Sequence, residues 1–177
     1  MNYEYTKVTS DNELEDILAL QGRNLKRSLA TSKTASQGFV TVEHSLHLLK
    51  KMNAIAPHVI AKHNNRVVGY ALSMHPSFAN DIAILKPMFQ ELNRLDVADY
   101  IIMGQICIED IHRKKGIFRC LYIEMKAQFT NTFKHIITEV DTTNVRSLNA
   151  HYAVGFKTLG TYTSNDQDWV IISLPIR

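Results

Sequence analysis

Residues 105–118, Gln105-Ile-Cys-Ile-Glu-Asp-Ile-His-Arg-Lys-Lys-Gly-Ile-Phe118, run from an apolar strand through a basic turn with one glycine into a helix. Backbone N–H groups at a helix start have no partner inside the helix, and the helix dipole adds partial positive charge there. Arg113, Lys114, Lys115 and Arg119 surround the turn with cationic charge, and Gly116 lets the backbone bend and approach a ligand. A phosphate suits such a place, although a surface turn with solvated charges reads the same from this stretch alone.

A second segment lies downstream: Glu139-Val-Asp-Thr-Thr-Asn144-Val-Arg-Ser147-Leu-Asn-Ala-His151-Tyr-Ala-Val-Gly155-Phe156. Together the two resemble the GNAT family of acyl-CoA-dependent N-acetyltransferases. That family's pyrophosphate loop reads Gln/Arg-x-x-Gly-x-Gly/Ala; Arg113 and Gly116 match it and Phe118 departs from it. Its C-terminal motif reads roughly Asn-x-x-Ala/Ser, a small helix carrying Tyr, then Gly-Phe. Asn144, Ser147, Gly155 and Phe156 match at those spacings, and His151 stands where Tyr is usual.

The resemblance implies one domain over residues 1–177 with the α/β (α+β) GNAT acyl-CoA N-acyltransferase fold, a mixed central sheet of about six or seven strands flanked by about four helices. It implies acetyl transfer from acetyl-CoA to an amine by direct attack in a ternary complex. The pyrophosphate would rest on the backbone of Arg113, Lys114, Lys115, Gly116, Ile117 and Phe118, with Arg113 and the lysines screening its charge. The pantetheine arm would pair with Ile106, Cys107 and Ile108, where the central strand splays from its neighbour. Phe118 needs room for its ring, which either alters the loop or closes the coenzyme site.

Asn144 would hold a water or the pantetheine, or cap its helix. His151 would protonate the leaving thiolate, giving activity that falls as pH rises through about 6.5, or would be a packing residue; Tyr152, about 100° further round the helix, faces elsewhere and packs. Glu139 would be the base, as in the similar Glu-Val, Asn, Tyr spacing of N-terminal alanine acetyltransferases of ribosomal proteins, or would be ion-paired beside its strand. Glu109, Asp110 and Asp99 are the competing carboxylates. Arg23, Lys26, Arg27 and Gln37-Gly38-Phe39 fall in the variable region that lines acceptor sites, so the acceptor is a small-molecule amine or a peptide or protein amine. The family also admits a homodimer through strands at the end of the sheet. A non-catalytic acyl-CoA-binding protein of the same fold is the alternative.

Composition sets the bounds. At 177 residues and 45% hydrophobic content the chain builds one core. The net charge is only +3 and much of the cationic excess lies at residues 113–119, too local for a nucleic-acid-binding stripe. Cys107 and Cys120 are the two cysteines, and no Cys-x-x-Cys or paired-His spacing points to a metal. His44 and His47, three apart, read as a solvated helix face. Cys107 reads as a small apolar filler, with a thiol nucleophile as the alternative. No signal sequence opens the chain and no apolar run reaches the roughly 18 residues of a membrane span, so the expectation is a cytoplasmic protein with no membrane partner.

The periodicity predicts strands at Tyr3–Val8, His58–His63, Arg66–His75, Tyr100–Ile108, His135–Val140, Phe156–Thr163 and Asp168–Leu174. It predicts helices after a Ser10 or Asp11 cap, over Val42–Asn53, Ile84–Leu95, Ile117 to about Thr130, and Asn144–Val154. The segment Arg23–Ala35 is a helix continuation or a loop. Asn64-Asn65 predicts a tight hairpin.

Overall fold

The computed structural model describes residues 2–25 and 39–177. In chain order the elements are β1 (Glu4–Lys7), α1 (Asp11–Asn24), α2 (Leu46–Ile55), β2 (Val59–His63), β3 (Arg66–Met74), α3 (Lys86–Arg94), β4 (Tyr100–Ile108), α4 (Ile117–Phe129), β5 (His135–Asp141), α5 (Val145–Ala153), β6 (Lys157–Ser164) and β7 (Gln167–Pro175). The strands form one seven-stranded sheet in the order β1-β2-β3-β4-β5-β7-β6. Its β4–β5 pair is parallel and its other neighbours are antiparallel.

Local chemistry explains the boundaries. Ser10 opens α1 with a capping box: its hydroxyl accepts the Glu13 N–H at 3.4 Å while the Glu13 carboxylate accepts the Ser10 N–H at 3.1 Å. Asn64 and Asn65 take φ of 51° and 61°, the left-handed pair that a two-residue hairpin requires. The helix α2 begins at Leu46, later than the apolar spacing predicts, because Ser45 caps it by accepting the Leu48 N–H at 3.2 Å. Upstream, the backbones of Val42 and His44 are bonded to glutamine side chains instead. The helix predicted from Ile84 begins at Lys86, with Pro87 in the first turn, where its missing N–H costs nothing.

Helices cover both sheet faces. On one, Ile117, Leu121, Tyr122, Met125 and Phe129 of α4 pack on Val59, Ala61, Ile101, Ile136 and Ile172. On the other, Leu14, Ile17 and Leu20 of α1 with Leu49 of α2 cover Ile60, Tyr70, Leu72 and Cys107, and Met88 and Leu92 of α3 cover Ile102, Ile137 and Ile171. A bulge in β4 decides which residues face where. Leu72 pairs with Gln105 and Ser73 with Met103, so Gly104 is the extra residue. Ile101 and Met103 before it face α4, as do Ile106 and Ile108 after it, and Cys107 falls on the α1 face.

Four histidines, His44, His58, His112 and His151, are buried; burial lowers His112 and pushes each of the other three down to about 4. His58 is held between the Leu49 carbonyl at 3.2 Å and the Ser73 N–H at 3.1 Å, so its neutral ring donates from Nε2 and accepts at Nδ1. The unfolded chain, with histidines near 6.5, binds more protons than the folded one between about pH 6.5 and 4. Stability is therefore full above that window and falls on acidification, by roughly 3 kcal/mol for each of the three rings held at about 4. Urea midpoints measured from pH 7 to 4 should decline steadily; a flat profile would show that the rings accept protons without cost.

Candidate functional site

The strands β4 and β5 pair for three rungs, Tyr100–His135, Ile101–Ile136 and Ile102–Ile137, and then separate, although β4 runs on to Ile108 and β5 to Asp141. Glu109 donates its N–H to the Val68 carbonyl of β3 at 2.9 Å. Strand alternation then aims the N–H groups of Ile106 and Ile108 into the gap and that of Cys107 toward β3. Of the three residues expected to meet a pantetheine arm, two thus present their N–H groups there. Burial pushes the Cys107 thiol up to about 12, which makes it a packing group rather than a thiolate nucleophile.

Two adjoining cavities fill the gap. The larger, about 250 Å³, is lined by Ile106, Cys107, Ile108, Arg113, Lys114, Gly116, Ile117, Phe118, Asn144 and Arg146 among others. The smaller, about 80 Å³, is lined by Gly104, Gln105, Thr138, Glu139, His151 and Trp169 among others. Phe39, Val40, Ile106, Asn144 and Ser147 are walls of both.

The basic turn opens onto the larger cavity. Gly116 caps α4 with φ of +80°, and a Cβ there would meet nothing within 4 Å, so the backbone angle rather than crowding requires glycine. The first-turn N–H groups of α4 lack intrahelical partners, and Gly116, Ile117 and Phe118 line the cavity. These features fit the pyrophosphate of a coenzyme.

Arg113 has a structural role besides the expected one. Its guanidinium is turned into the protein, donating to the Ile108 carbonyl at 3.0 Å and to Asn24 Oδ1 at 2.7 Å and pairing with Asp110. It braces the loop and also lines the larger cavity. Lys115 donates to the Ile111 carbonyl at 2.7 Å and Arg119 to the Ala153 carbonyl at 2.9 Å, while Lys114 lines the cavity. Arg146, which the spacing did not single out, adds a third cationic side chain to that lining, after Arg113 and Lys114; it lies two residues past Asn144.

Phe118 places its ring beside Tyr122 and His151, at centroid distances of 5.3 and 5.0 Å in edge-on geometry. His151 is buried there. Its Nδ1–H donates to the Ser147 carbonyl at 2.7 Å, and its Nε2 accepts the Tyr122 hydroxyl at 2.8 Å. Burial holds the ring down at about 4, so the imidazolium that would titrate near 6.5 is not the form present at neutral pH. Tyr152 bonds Thr158 at 2.9 Å, half exposed rather than packed.

Glu139 sits in the wall of the smaller cavity with no cation beside it among the described residues. Its one hydrogen-bond donor there is the Tyr162 hydroxyl of β6. Burial pushes its carboxyl up to about 7, and the Tyr162 bond works in the opposite direction. The competing carboxylates are ion-paired: Glu109 with Arg23 at 3.3 Å, Asp110 with Arg113, and Asp99 with Lys134 at 2.6 Å. Tyr162 reaches Glu139 across the intervening β7, a contact with no local sequence signature.

Asn144 caps α5 by accepting the Ser147 N–H at 3.3 Å and donates to the Phe39 carbonyl at 3.3 Å. His44 is buried ahead of α2 and bonded to Gln21, so it is not on a solvated helix face; His47 is exposed. Lys26, Arg27, Gln37 and Gly38 lie outside the described residues. Among the described residues no group of three His, Cys, Asp or Glu side chains gathers as for a metal, and no helix is long and apolar enough to cross a membrane.

No protein-family profile matches the chain, and no curated protein matches it by sequence. Solved structures do match its fold. The ribosomal-protein-S18-alanine N-acetyltransferase of Escherichia coli superposes with a TM-score of 0.66 at 13% identity, covering 99% of this chain and 94% of that one. The NatC complex bound to Gag peptide and CoA gives 0.67 at 17% identity, covering 99% of each chain. The acetyltransferase-like yncA of Salmonella typhimurium, solved with acetyl-CoA, gives 0.66 at 10% identity over 100% of this chain and 95% of that one. The chain therefore has the GNAT N-acetyltransferase fold.

Replacing Arg113 with methionine removes its bonds to Ile108 and Asn24. Urea unfolding should show a loss of about 1–3 kcal/mol; an unchanged midpoint would mean that the side chain does not brace the loop.

Proposed function

We propose that the protein is an acetyl-CoA-dependent N-acetyltransferase acting on an amine by direct attack. One observation carries this reading: a single gap between β4 and β5 has a helix-start N–H cradle at one end and, at the other, a largely buried carboxylate with no cation beside it among the described residues. The cradle of Gly116, Ile117 and Phe118 would hold the pyrophosphate, with Lys114 and Arg146 beside it, and Ile106 and Ile108 would bond the pantetheine arm. Asn144 and Ser147 form the wall common to both ends.

Glu139 takes the amine's proton as nitrogen bonds to the thioester carbonyl carbon. The carbon–sulfur bond then breaks, and the thiolate, with a pKa near 8.5, recovers a proton from the Glu139 carboxyl at about 7. A base at about 7 suits some amines better than others. Moving a proton to it costs about 1 pK unit from an α-ammonium near 8 and about 3.4 from a lysine near 10.4, roughly 1.4 against 4.6 kcal/mol. The reading therefore favours α-amines of peptides or weakly basic small amines as acceptors. His151 is assigned a positioning role through Ser147 and Tyr122.

The neutral, doubly bonded His151, where the resembled family has Tyr, favours a second reading: an acyl-CoA-binding protein without turnover.

Acetyl-CoA binding by calorimetry, followed by acetylation of an amine panel over pH 5.5–9, separates the two. Catalysis by Glu139 predicts kcat/KM rising with pH through about 7, where the carboxylate forms. Glu139→Gln should lower it by about 10²- to 10⁴-fold. Tyr162→Phe removes a bond that favours the charged carboxylate, so the midpoint should move to higher pH. Binding without acetylation of any amine would establish the second reading, and turnover indifferent to Glu139→Gln would remove Glu139 from the chemistry.

A further inference from the structure

A buried polar network outside the proposed chemistry ties β4 to a segment that lines the gap. Gln105 follows the bulge at Gly104 and lines the smaller cavity. Its Oε1 accepts from Gln21 Nε2 at 2.8 Å and from the Tyr70 hydroxyl at 2.6 Å, and its Nε2 donates to the Val42 carbonyl at 2.8 Å. Gln21 in turn accepts the His44 backbone N–H at 2.9 Å and meets the His44 ring at 2.9 Å. Every polar atom of the Gln105 amide is thus engaged.

Residues 39–44 belong to no helix or strand beyond one bridge of Val40 to Leu25. Side chains meet much of their backbone: Asn144 at the Phe39 carbonyl, Gln105 at Val42 and Gln21 at His44. Buried backbone groups left without partners are costly, so this strap stays where those amides hold it. Phe39, Val40, Thr41 and Val42 all line the smaller cavity, as Glu139 does.

Residues 39–44 continue the variable segment that lines acceptor sites in the resembled family; we propose that Gln105, through its bond to the Val42 carbonyl, is the positioning residue that holds this segment and so sets where an amine lies in the cavity it shares with Glu139. The assignment rests on the acetyltransferase reading and adds to it a determinant of acceptor recognition. The pyrophosphate contacts at residues 113–118 lie outside the network, although Phe39 and Val40 also line the larger cavity, so losing the amide should act on the acceptor more than on the coenzyme.

The test compares wild type with Gln105→Met, Gln21→Met and Tyr70→Phe. Three quantities are measured: acetyl-CoA Kd by calorimetry, kinetics with an alanine tripeptide bearing a free α-amine and with a weakly basic small amine, and hydrogen exchange of residues 39–45. Gln105→Met should raise strap exchange and the acceptor KM by about tenfold or more while acetyl-CoA Kd stays within about twofold. Gln21→Met should release His44 and give a smaller shift in the same direction, which keeps the test readable if Gln105→Met does not fold. Tyr70→Phe, which leaves the Val42 bond in place, should change the acceptor KM little. Unchanged strap exchange, or raised exchange with unchanged acceptor KM, would overturn the proposal, as would an equal loss of acetyl-CoA affinity. If wild type acetylates neither amine although strap exchange responds to Gln105→Met, the acetyltransferase reading has failed and the acceptor role falls with it, while the brace itself stands.

Discussion

The separation of β4 from β5 after three rungs is the constraint on which the rest of the structure depends. A strand edge opened inside a covered sheet exposes peptide groups that must find other partners, at about 1–3 kcal/mol for each one left unpaired. The molecule answers with side chains. Arg113 takes the Ile108 carbonyl, and Asn144, Gln105 and Gln21 hold the strap that lines the opening. The bulge at Gly104 completes the arrangement by changing the side-chain parity of β4. It leaves Ile106 and Ile108 facing the helix that starts at the basic turn, and Gln105 facing the network with α1.

Charge is distributed by the same logic. The carboxylates outside the opening, Glu109, Asp110 and Asp99, are each paired with a cation. Glu139, inside the opening, has a hydroxyl for a partner and is pushed up toward neutrality by burial. A carboxylate kept near the pH of its surroundings is costly to a fold and useful to proton transfer, which is the reason perturbed groups in clefts point to function.

The fold was legible in the sequence because its strands are separated by strong punctuation. Asn64-Asn65 and the Gly116 turn require left-handed backbone that few other residues adopt, and Tyr100–Ile108 is apolar enough to be buried on both faces. The start of α2 was misread because the apolar stripe continues upstream of Ser45, while the competing bonds come from Gln21 and Gln105, distant in sequence. Gln105 did leave a signal, an amide inside an otherwise apolar strand, but its partners Tyr70 and Gln21 were not readable from spacing. For Arg113 the charge was legible and its direction was not, since that depends on Asn24 and Asp110 being within reach.

His151 shows how a buried hydroxyl can fix the state of a neighbouring ring. The Tyr122 hydroxyl is out of water and needs an acceptor, and His151 Nε2 supplies one only while the imidazole is neutral. A protonated ring would carry donors on both nitrogens. The Ser147 carbonyl would still satisfy Nδ1, but Nε2–H would then face the Tyr122 O–H, and one of the two hydrogens would have no acceptor unless the hydroxyl rotated away. Packing of Phe118 and Phe156 against the same ring, at 5.0 and 5.1 Å, removes the water that would ease that change. Holding Tyr122 and acting as an imidazolium acid are therefore competing uses of one nitrogen, and the geometry selects the first. On the proposed reading this leaves proton traffic to Glu139, the ionisable side chain in the smaller cavity that burial brings to about 7.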